Sequence, residues 1–322
     1  MKDFTILKFK PILKSVIWGG RRLSSHLGRK LPANKPFGES WEIVDLPDDQ
    51  SLISEGIFKN ESLGVMRERF RADLLGDAPV LEGRFPLLVK FIDATQTLSV
   101  QVHPDEAACE KIGEGARPKT EAWFIIDCAP NGALYVGLKP GVDKNSLEAA
   151  IKDGNVETLL NRLPVKPGDF VFLPAGTVHA IGAGVLLAEV QQSSATTYRV
   201  FDWNRVGLDG KPRQLHIKEA LKAINYTQTE PPKIVTPKSG RAGVSCPFFT
   251  MELVERDEEN AEFSQTSPLI IMGIKGEGKR LITACEHTAH LELGESLLVP
   301  ACCAGKVKIS SDGPLDCLVV SI

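Results

Sequence analysis

The chain has 322 residues, of which 25% are charged, and a formal net charge of −3 at pH 7. This length can bury one large or two moderate hydrophobic cores, and we expect two domains. The nearly balanced charge argues against a nucleic acid or an anionic membrane as a partner, so any recognition of phosphate has to be local.

The apolar runs and the cysteines predict the compartment. No apolar run approaches the length of a membrane-spanning helix, and the first residues lack the charged-then-apolar pattern of a secretory signal. The seven cysteines include no CxxC pair, which favours thiols in a reducing compartment over a disulfide framework. We therefore expect a cytoplasmic protein.

The first 75 residues predict short strands followed by one helix. Short apolar runs punctuated by glycine and proline, such as residues 16–20 and 38–44, predict strands joined by turns. Beyond them Leu63, Met66 and Phe70 recur at helical spacing with charged residues between them. This spacing predicts an amphipathic helix over residues 61–75.

Residues 86–92, with the sequence PLLVKFI, are too apolar for a half-exposed strand and predict a buried one. Lys90 lies within this run, and a buried ammonium is costly unless it meets a partner or a polar cavity. The alternative is a lysine at a strand end whose side chain reaches water. The sequence leaves both readings open.

Residues 98–104, with the sequence LSVQVHP, predict a strand that ends at its proline. Residues two apart on a strand point to the same face, so Gln101 and His103 project together. A short polar segment over residues 105–112 predicts one or two helical turns near this strand.

Two more polar residues lie at the boundaries of predicted strands. Glu121 directly precedes the apolar run of residues 122–126, and a buried strand over residues 169–174 turns back into a strand at His179. Together with Gln101 and His103 they offer an amide oxygen, two imidazoles and a carboxylate, which are ligand types for a divalent metal such as zinc. For each residue alone, the alternative is a hydrogen-bonded polar group.

The next segments are helical and then extended. Residues 143–163 predict a helix that begins at a capping pair, Asn145 and Glu148, and is divided in two by Gly154. We expect strands over residues 186–190 and 196–201 and a helix over residues 215–224. The proline-rich residues 230–237 predict a linker between a domain of residues 1–230 and a β-rich domain of residues 231–322.

One pattern occurs twice. Residues 167–175 (PGDFVFLPA) and 293–301 (LGESLLVPA) share a glycine, an acid, four mostly apolar residues and Pro-Ala. In this register Gly305 takes the place of His179, so the second copy lacks that ligand. The repeat predicts two related β-barrel units, the first metal-bearing and the second structural. We assign His287 and His290, in the second unit, to solvated or core positions.

Several motifs together resemble the type I mannose-6-phosphate isomerases, in their short bacterial form. They are GESWEI at 38–43, FPLLVK at 85–90, LSVQVHP at 98–104, KTE at 119–121, PAGTVHA at 174–180 and TTYR at 196–199. The family is a cupin family. The resemblance therefore implies a mainly β fold with two jelly-roll units, an N-terminal catalytic one and a C-terminal degenerate one, and a few packed helices.

The resemblance also implies a reaction, the interconversion of mannose 6-phosphate and fructose 6-phosphate through an enediol. The implied ligands of one zinc ion are Gln101, His103, Glu121 and His179. Arg199 is the implied active-site arginine, and Ser99, Lys90, Lys119 and Arg199 are the implied substrate-binding residues. With Arg199 we count Lys119 and Glu189 as candidate catalytic residues. We expect the lysines and Ser99 near the phosphate. A salt bridge to Asp202 or Glu189 is the alternative role for Arg199.

The sequence departs from the family at one position. Members commonly have an acid four residues before this arginine, and Ala195 stands there in this chain. If that acid transfers the proton, this chain must use another base, and Glu189 or a zinc-bound water is the candidate.

Other functions remain open at this point. Fold and metal do not fix the substrate, so a cupin isomerase or epimerase acting on another phosphosugar is the first alternative. A catalytically silent sugar-binding cupin and an iron-dependent oxygenase are further alternatives. The four predicted ligands argue against the former, and Gln101 as a fourth ligand argues against the latter. We expect a monomer or homodimer.

Overall fold

The computed structural model describes residues 5–228, 230–232, 234–236, 241 and 243–322. Over these ranges the fold is mainly β with few helices, as predicted. The described α-helices are α1 (Arg22–Ser25), α2 (Leu63–Arg69), α3 (Arg71–Leu75), α4 (Glu106–Ile112), α5 (Lys144–Asp153) and α6 (Ile217–Ala223). Shorter 3₁₀ turns cover Val156–Leu159 and Ala301–Cys303.

The strands follow one another with short connections. Those up to residue 228 are β1 (Leu7–Lys10), β2 (Ile12–Lys14), β3 (Glu39–Ile43), β4 (Leu52–Ile53), β5 (Leu87–Ala94), β6 (Val100–Val102), β7 (Glu121–Cys128), β8 (Ala133–Leu138), β9 (Leu160–Pro164), β10 (Phe170–Leu173), β11 (His179–Ile181), β12 (Val185–Gln192) and β13 (Tyr198–Phe201). Those after it are β14 (Ile234–Val235), β15 (Gly243–Ser245), β16 (Thr250–Val254), β17 (Asn260–Phe263), β18 (Leu269–Gly276), β19 (Lys279–Ala284), β20 (His287–Glu292), β21 (Ser296–Val299), β22 (Val307–Asp312) and β23 (Leu315–Ser321).

The described strands form two large and two small antiparallel sheets. The first large sheet has the order β14-β10-β7-β12-β5-β3-β2, and the first small sheet has the order β13-β6-β11-β8-β9. The second large sheet has the order β15-β16-β23-β18-β21-β1-β4, and the second small sheet has the order β17-β22-β19-β20. Strands β1 and β4 thus join residues near the start of the chain to the sheet built by its end.

Three apolar cores hold the sheets in layers. One lies between the two large sheets, and each of the others lies between a large sheet and its small partner. Strand β7 shows why, because Ala122 and Phe124 face the first core while Trp123 and Ile125 face the core of the first pair. Burial on both faces explains the continuous apolar run in its sequence. Helices α4, α5 and α6 cover the other face of the first small sheet.

Two helix predictions needed correction. The predicted helix over residues 61–75 is broken, because Phe70 leaves helical geometry (φ −130°, ψ 37°) between α2 and α3. The second helix predicted after Gly154 is wrong, since the chain continues there as a 3₁₀ turn and strand β9. Gly154 itself ends α5 in the left-handed conformation (φ 71°, ψ 27°), which glycine adopts without a Cβ clash.

The start of α5 also differs from the prediction. Asp143 caps the helix in place of Asn145, because its side chain accepts the N–H of Ser146 at 2.8 Å and Ser146 Oγ accepts the N–H of Asp143 at 2.9 Å. This reciprocal pair satisfies two of the N–H groups that a helix leaves without intrahelical partners at its start.

The described part of the predicted linker includes a two-residue strand. Strand β14 pairs with β10, with Val235 opposite Phe170. Lys233 and Pro237 lie outside the described residues, and the domain boundary after residue 230 stays a prediction. In the described part of the chain, no helix is both long enough and apolar enough to cross a membrane.

Candidate metal centre and its cavity

Strand pairing brings the predicted ligands to one place between the first large and small sheets. His179 opens β11 directly opposite Gln101 of β6, and His103 follows the end of β6. Glu121 opens β7 in the large sheet, opposite Leu173 of β10. The small sheet therefore supplies the amide and both imidazoles, and the large sheet supplies the carboxylate.

His103, Glu121 and His179 form a buried cluster whose ligand atoms all lie within 4.8 Å of one another. The Nε2 atoms of His103 and His179 are each 3.3 Å from an oxygen of Glu121. Gln101 lies beside this cluster, with its Nε2 atom 3.2 Å from Nε2 of His179. Its amide must rotate to present the oxygen to a cation held by the other three residues.

Backbone carbonyls set the tautomers of the two histidines. Nδ1 of His103 donates to the carbonyl of Thr196 at 2.8 Å, and Nδ1 of His179 donates to the carbonyl of Thr177 at 2.9 Å. Since a carbonyl only accepts, each neutral ring keeps an unprotonated Nε2 toward Glu121. Burial lowers the pKa of His179, and burial together with the Lys119 ammonium lowers the pKa of His103 to about 4. Both rings are neutral at pH 7.

Glu121 is ionised at this site. Burial by itself would raise the pKa of Glu121, but Lys119 and the two histidines outweigh burial and hold it well below its usual range. The Lys119 ammonium is 2.7 Å from Oε2 of Glu121 and 3.0 Å from Nε2 of His103. Neither Glu121 oxygen accepts a hydrogen bond of acceptable geometry from the described residues, although both are buried. A buried carboxylate whose oxygens accept no hydrogen bond from these residues, beside two unprotonated imidazole nitrogens, is suited to binding a cation.

A cavity of about 430 Å³ lies beside the cluster. Its lining includes all the predicted substrate-binding and catalytic residues, which are Lys90, Ser99, Lys119, Glu189 and Arg199. It also includes the predicted ligand Gln101, Ala195 at the departure from the family, and two residues that the sequence did not single out, Arg213 and His216.

Lys90 has a buried partner, which decides between its two sequence-based readings. Its ammonium donates to Oε1 of Glu189 at 2.9 Å and lies 3.9 Å from Glu39. Burial would lower the pKa of Lys90, but Glu189 and Glu39 outweigh it and raise the pKa. The other Glu189 oxygen accepts the indole N–H of Trp123 at 2.9 Å. Burial opposes ionisation of Glu189, but Lys90 outweighs it and lowers the pKa, so this carboxylate is ionised.

Arg199 does not form the salt bridge that was its alternative role. Asp202 pairs instead with Arg205 at 2.9 Å and Arg213 at 2.5 Å. Arg199 donates from Nε to Ser99 Oγ at 3.3 Å and from Nη1 to the carbonyl of Gln214 at 2.8 Å. No carboxylate in the described ranges forms an ion pair with it. A guanidinium has five N–H donors, so three of them have no acceptor among the described residues.

The positive charge of the cavity is therefore uneven. Lys90 and Lys119 each face a carboxylate of their own. Arg199 faces none, and Arg213 shares one aspartate with a second arginine. Burial, followed by the positive charge of the neighbouring Arg213, lowers the pKa of Arg199. The excess positive charge is concentrated at Arg199 and Arg213.

The sequence did not identify Arg213 because its position depends on a turn. The N–H of Gly207 donates to the carbonyl of Lys211 at 2.7 Å, and Val206 pairs with Pro212, so the chain folds back on itself. This return places Arg213 beside Asp202. The turn residues Asp-Gly-Lys-Pro at 209–212 carry a turn signal, but no periodicity relates the arginine after them to the cavity.

Comparison with known proteins gives a consistent result. The family model described as "Phosphomannose isomerase type I, catalytic domain" matches residues 6–123. The chain is 36% identical over 320 residues to the mannose-6-phosphate isomerase ManA of Bacillus subtilis (strain 168), covering 97% of this chain and 98% of that protein. It is 36% identical over 292 residues to the mannose-6-phosphate isomerase of Streptococcus mutans serotype c, covering 88% and 89%. The crystal structure of a mannose 6-phosphate isomerase from Bacillus subtilis matches with a TM-score of 0.85 and 30% identity, over 99% of this chain and 100% of that chain.

Proposed function

This chain belongs to the type I phosphomannose isomerases, a family of aldose–ketose isomerases, and we propose on that premise that it interconverts mannose 6-phosphate and fructose 6-phosphate with one zinc ion. The observation that carries the proposal is the buried cluster of His103, Glu121 and His179, whose ligand atoms lie within 4.8 Å of one another and in which neither Glu121 oxygen accepts a hydrogen bond from the described part of the chain.

The donor set fits zinc. His103, Glu121 and His179 would hold the ion, and Gln101 would complete the set after rotation of its amide. Two neutral imidazoles and a carboxylate are a ligand combination of catalytic zinc sites. When bound, the ion supplies Lewis-acid stabilisation of negative charge on the sugar oxygens.

The reaction moves a proton between C1 and C2 of the sugar, and negative charge develops on oxygen in the enediolate. Lys119 is the cationic side chain closest to the proposed metal ligands, 2.7 Å from Glu121. Its ammonium would donate a hydrogen bond to the enediolate oxygen. Glu189 is ionised, lines the cavity and is our candidate for the base, since Ala195 provides no carboxylate. Its bonds to Lys90 and Trp123 fix its oxygens and weaken its basicity, which predicts slow proton transfer.

The uneven charge of the cavity orients the substrate. A phosphate dianion binds best where cations lack carboxylate partners, and guanidinium groups match its oxygens in geometry. We therefore place the phosphate at Arg199 and Arg213, and the reacting carbons toward the metal ligands. The sequence-based expectation of a phosphate at Lys90 and Lys119 is less favourable, because each lysine already faces a carboxylate. Ser99 would act through Arg199, because its hydroxyl oxygen accepts a hydrogen bond from Nε of that arginine.

The test is a coupled assay of the purified protein with mannose 6-phosphate, before and after chelation and with zinc restored. We expect turnover that is lost on chelation and returns with zinc. Turnover indifferent to chelation would remove the metal from the proposal. Turnover of another aldose phosphate in the absence of activity on mannose 6-phosphate would favour the alternative of a different phosphosugar isomerase.

A further inference from the structure

His216 lies at the end of the cavity where the positive charge is in excess. It directly precedes α6 and lines the cavity together with Arg199 and Arg213. Two backbone contacts fix it to strand β13. The N–H of His216 donates to the carbonyl of Arg199 at 2.8 Å, and the N–H of Arg199 donates to Nδ1 of the His216 ring at 3.3 Å.

The second contact determines which ring nitrogen carries the proton. A backbone N–H only donates, so Nδ1 of His216 is the acceptor and the neutral ring is protonated at Nε2. Burial and the neighbouring Arg199 lower the pKa of His216, which keeps the ring neutral. The Nε2–H group has no hydrogen-bond acceptor among the described residues.

We propose that Nε2–H of His216 donates a hydrogen bond to the phosphate group of the substrate, beside the guanidinium groups of Arg199 and Arg213, and so contributes to selection of the phosphorylated sugar. This inference rests on the proposed function for the identity of the ligand. The ring adds a directed donor without adding a third positive charge next to two arginines that already disfavour each other.

Two matched variants separate this role from a structural one. In His216→Asn the side-chain oxygen replaces Nδ1 as acceptor for the Arg199 N–H, but the donor at the Nε2 position is lost. In His216→Gln the amide nitrogen reaches the Nε2 position, but the acceptor near the backbone is lost. Binding of inorganic phosphate to each protein is measured by calorimetry, and KM and kcat are measured with mannose 6-phosphate.

We expect His216→Asn to weaken phosphate binding and raise KM about tenfold with kcat nearly unchanged, because a hydrogen bond to a charged group is lost. His216→Gln should retain most of the affinity. A purely structural His216 predicts the reverse order, with His216→Asn silent and His216→Gln impaired, and that result would overturn the proposal. Should His216→Asn fail to fold, His216→Gln is compared with His216→Met, which lacks the terminal donor, and equal affinities would reject the role.

The same measurements distinguish this inference from the proposed reaction. A wild-type protein that binds phosphate but does not isomerise mannose 6-phosphate would remove the reaction, while the order of the two variants would still decide the role of His216. Phosphate binding that is indifferent to both variants rejects the role of His216 even when turnover is found.

Discussion

The two halves of this chain use the same order of strand pairing and fill it with different side chains. In the first half β10, β7, β12 and β5 are neighbours in the large sheet, and β6, β11 and β8 are neighbours in the small sheet. In the second half β21, β18, β23 and β16 have the corresponding order, as do β17, β22 and β19. We propose from this correspondence, together with the repeated GD/GE…PA motif, that the two halves are related units.

The registers match residue by residue. Glu121 lies opposite Leu173 as Leu269 lies opposite Val299, and Glu189 lies opposite Trp123 as Val319 lies opposite Ile271. Where the first half buries two carboxylates, the second buries Leu269 and Val319 in an apolar core. Because this strand order also folds with apolar residues at these positions, the carboxylates are not required by the fold. Buried ion pairs carry a desolvation cost, and we propose that the first half keeps them for its chemistry.

Among its described residues, the second half also buries the charged side chain of Arg280, in a different environment. The guanidinium of Arg280 donates to the backbone carbonyls of Glu255, Glu258 and Leu315 at 2.7 to 2.8 Å. These three carbonyls belong to backbone of the same half, so this arginine fixes the segment after β16 to the start of β23. A buried charge alone is therefore a weak sign of a site, whereas opposite charges beside an open cavity are a stronger one.

The largest expected effect is the loss of metal and activity when a histidine of the first half is removed, compared with a histidine of the second half. His179→Ala removes one ligand of the proposed metal, and we expect loss of bound zinc and a fall in activity of at least about a thousandfold. The control is His290→Ala, an exposed histidine on β20, which should change neither. Metal content by elemental analysis and turnover on the same samples decide the outcome. A zinc-replete, active His179→Ala protein would contradict the site.

We expect a smaller effect, on stability, when a residue of the first half is replaced by the residue type at the matching position of the second half. Glu189→Val reproduces the residue at position 319 and leaves Lys90 buried without its closest partner, which we expect to destabilise the fold by about 3–5 kcal/mol. Adding Lys90→Met should recover most of this loss, apart from about 1 kcal/mol for the unpaired Trp123 indole N–H.

Urea unfolding of the single and double variants measures both free energies. Activity should be low in both, because the base candidate is absent from each. A Glu189→Val protein as stable as the wild type would show that this pair is not the buried, mutually dependent contact described above.

How far the sequence could predict these features depends on how local each one is. Gln101 lies within a strand, and His103, Glu121 and His179 lie at strand ends, all of which short-range alternation reveals, and the structure brings the four residues together. The partner of Lys90 could not be read, since Glu189 is 99 residues away and pairs with it only through strand register.

Ambiguous local patterns account for the errors. Leu159, Leu160 and Leu163 satisfy a helical spacing, yet Leu159 ends a 3₁₀ turn and strand β9 begins at Leu160, because pairing with β8 provides hydrogen bonds that the isolated segment lacks. Arg213 lies beyond a turn, and no period in the sequence indicates that the chain returns to Asp202.

The smallest expected effect tests the repeated motif itself. Gly168 and Gly294 occupy the same place in the two copies, and both have positive φ, +93° and +76°. At Gly168 an added Cβ meets nothing within 4 Å, whereas at Gly294 it would lie 2.1 Å from the carbonyl oxygen of Leu27. We expect Gly168→Ala to cost about 1 kcal/mol from the left-handed backbone alone, and Gly294→Ala to cost about 3 kcal/mol, since overpacking against backbone is added. Denaturant midpoints of the two variants measure this difference. Equal losses of stability in the two variants would show that the backbone at Leu27 moves aside freely. The contact between Gly294 and Leu27 would then not constrain the second copy of the motif.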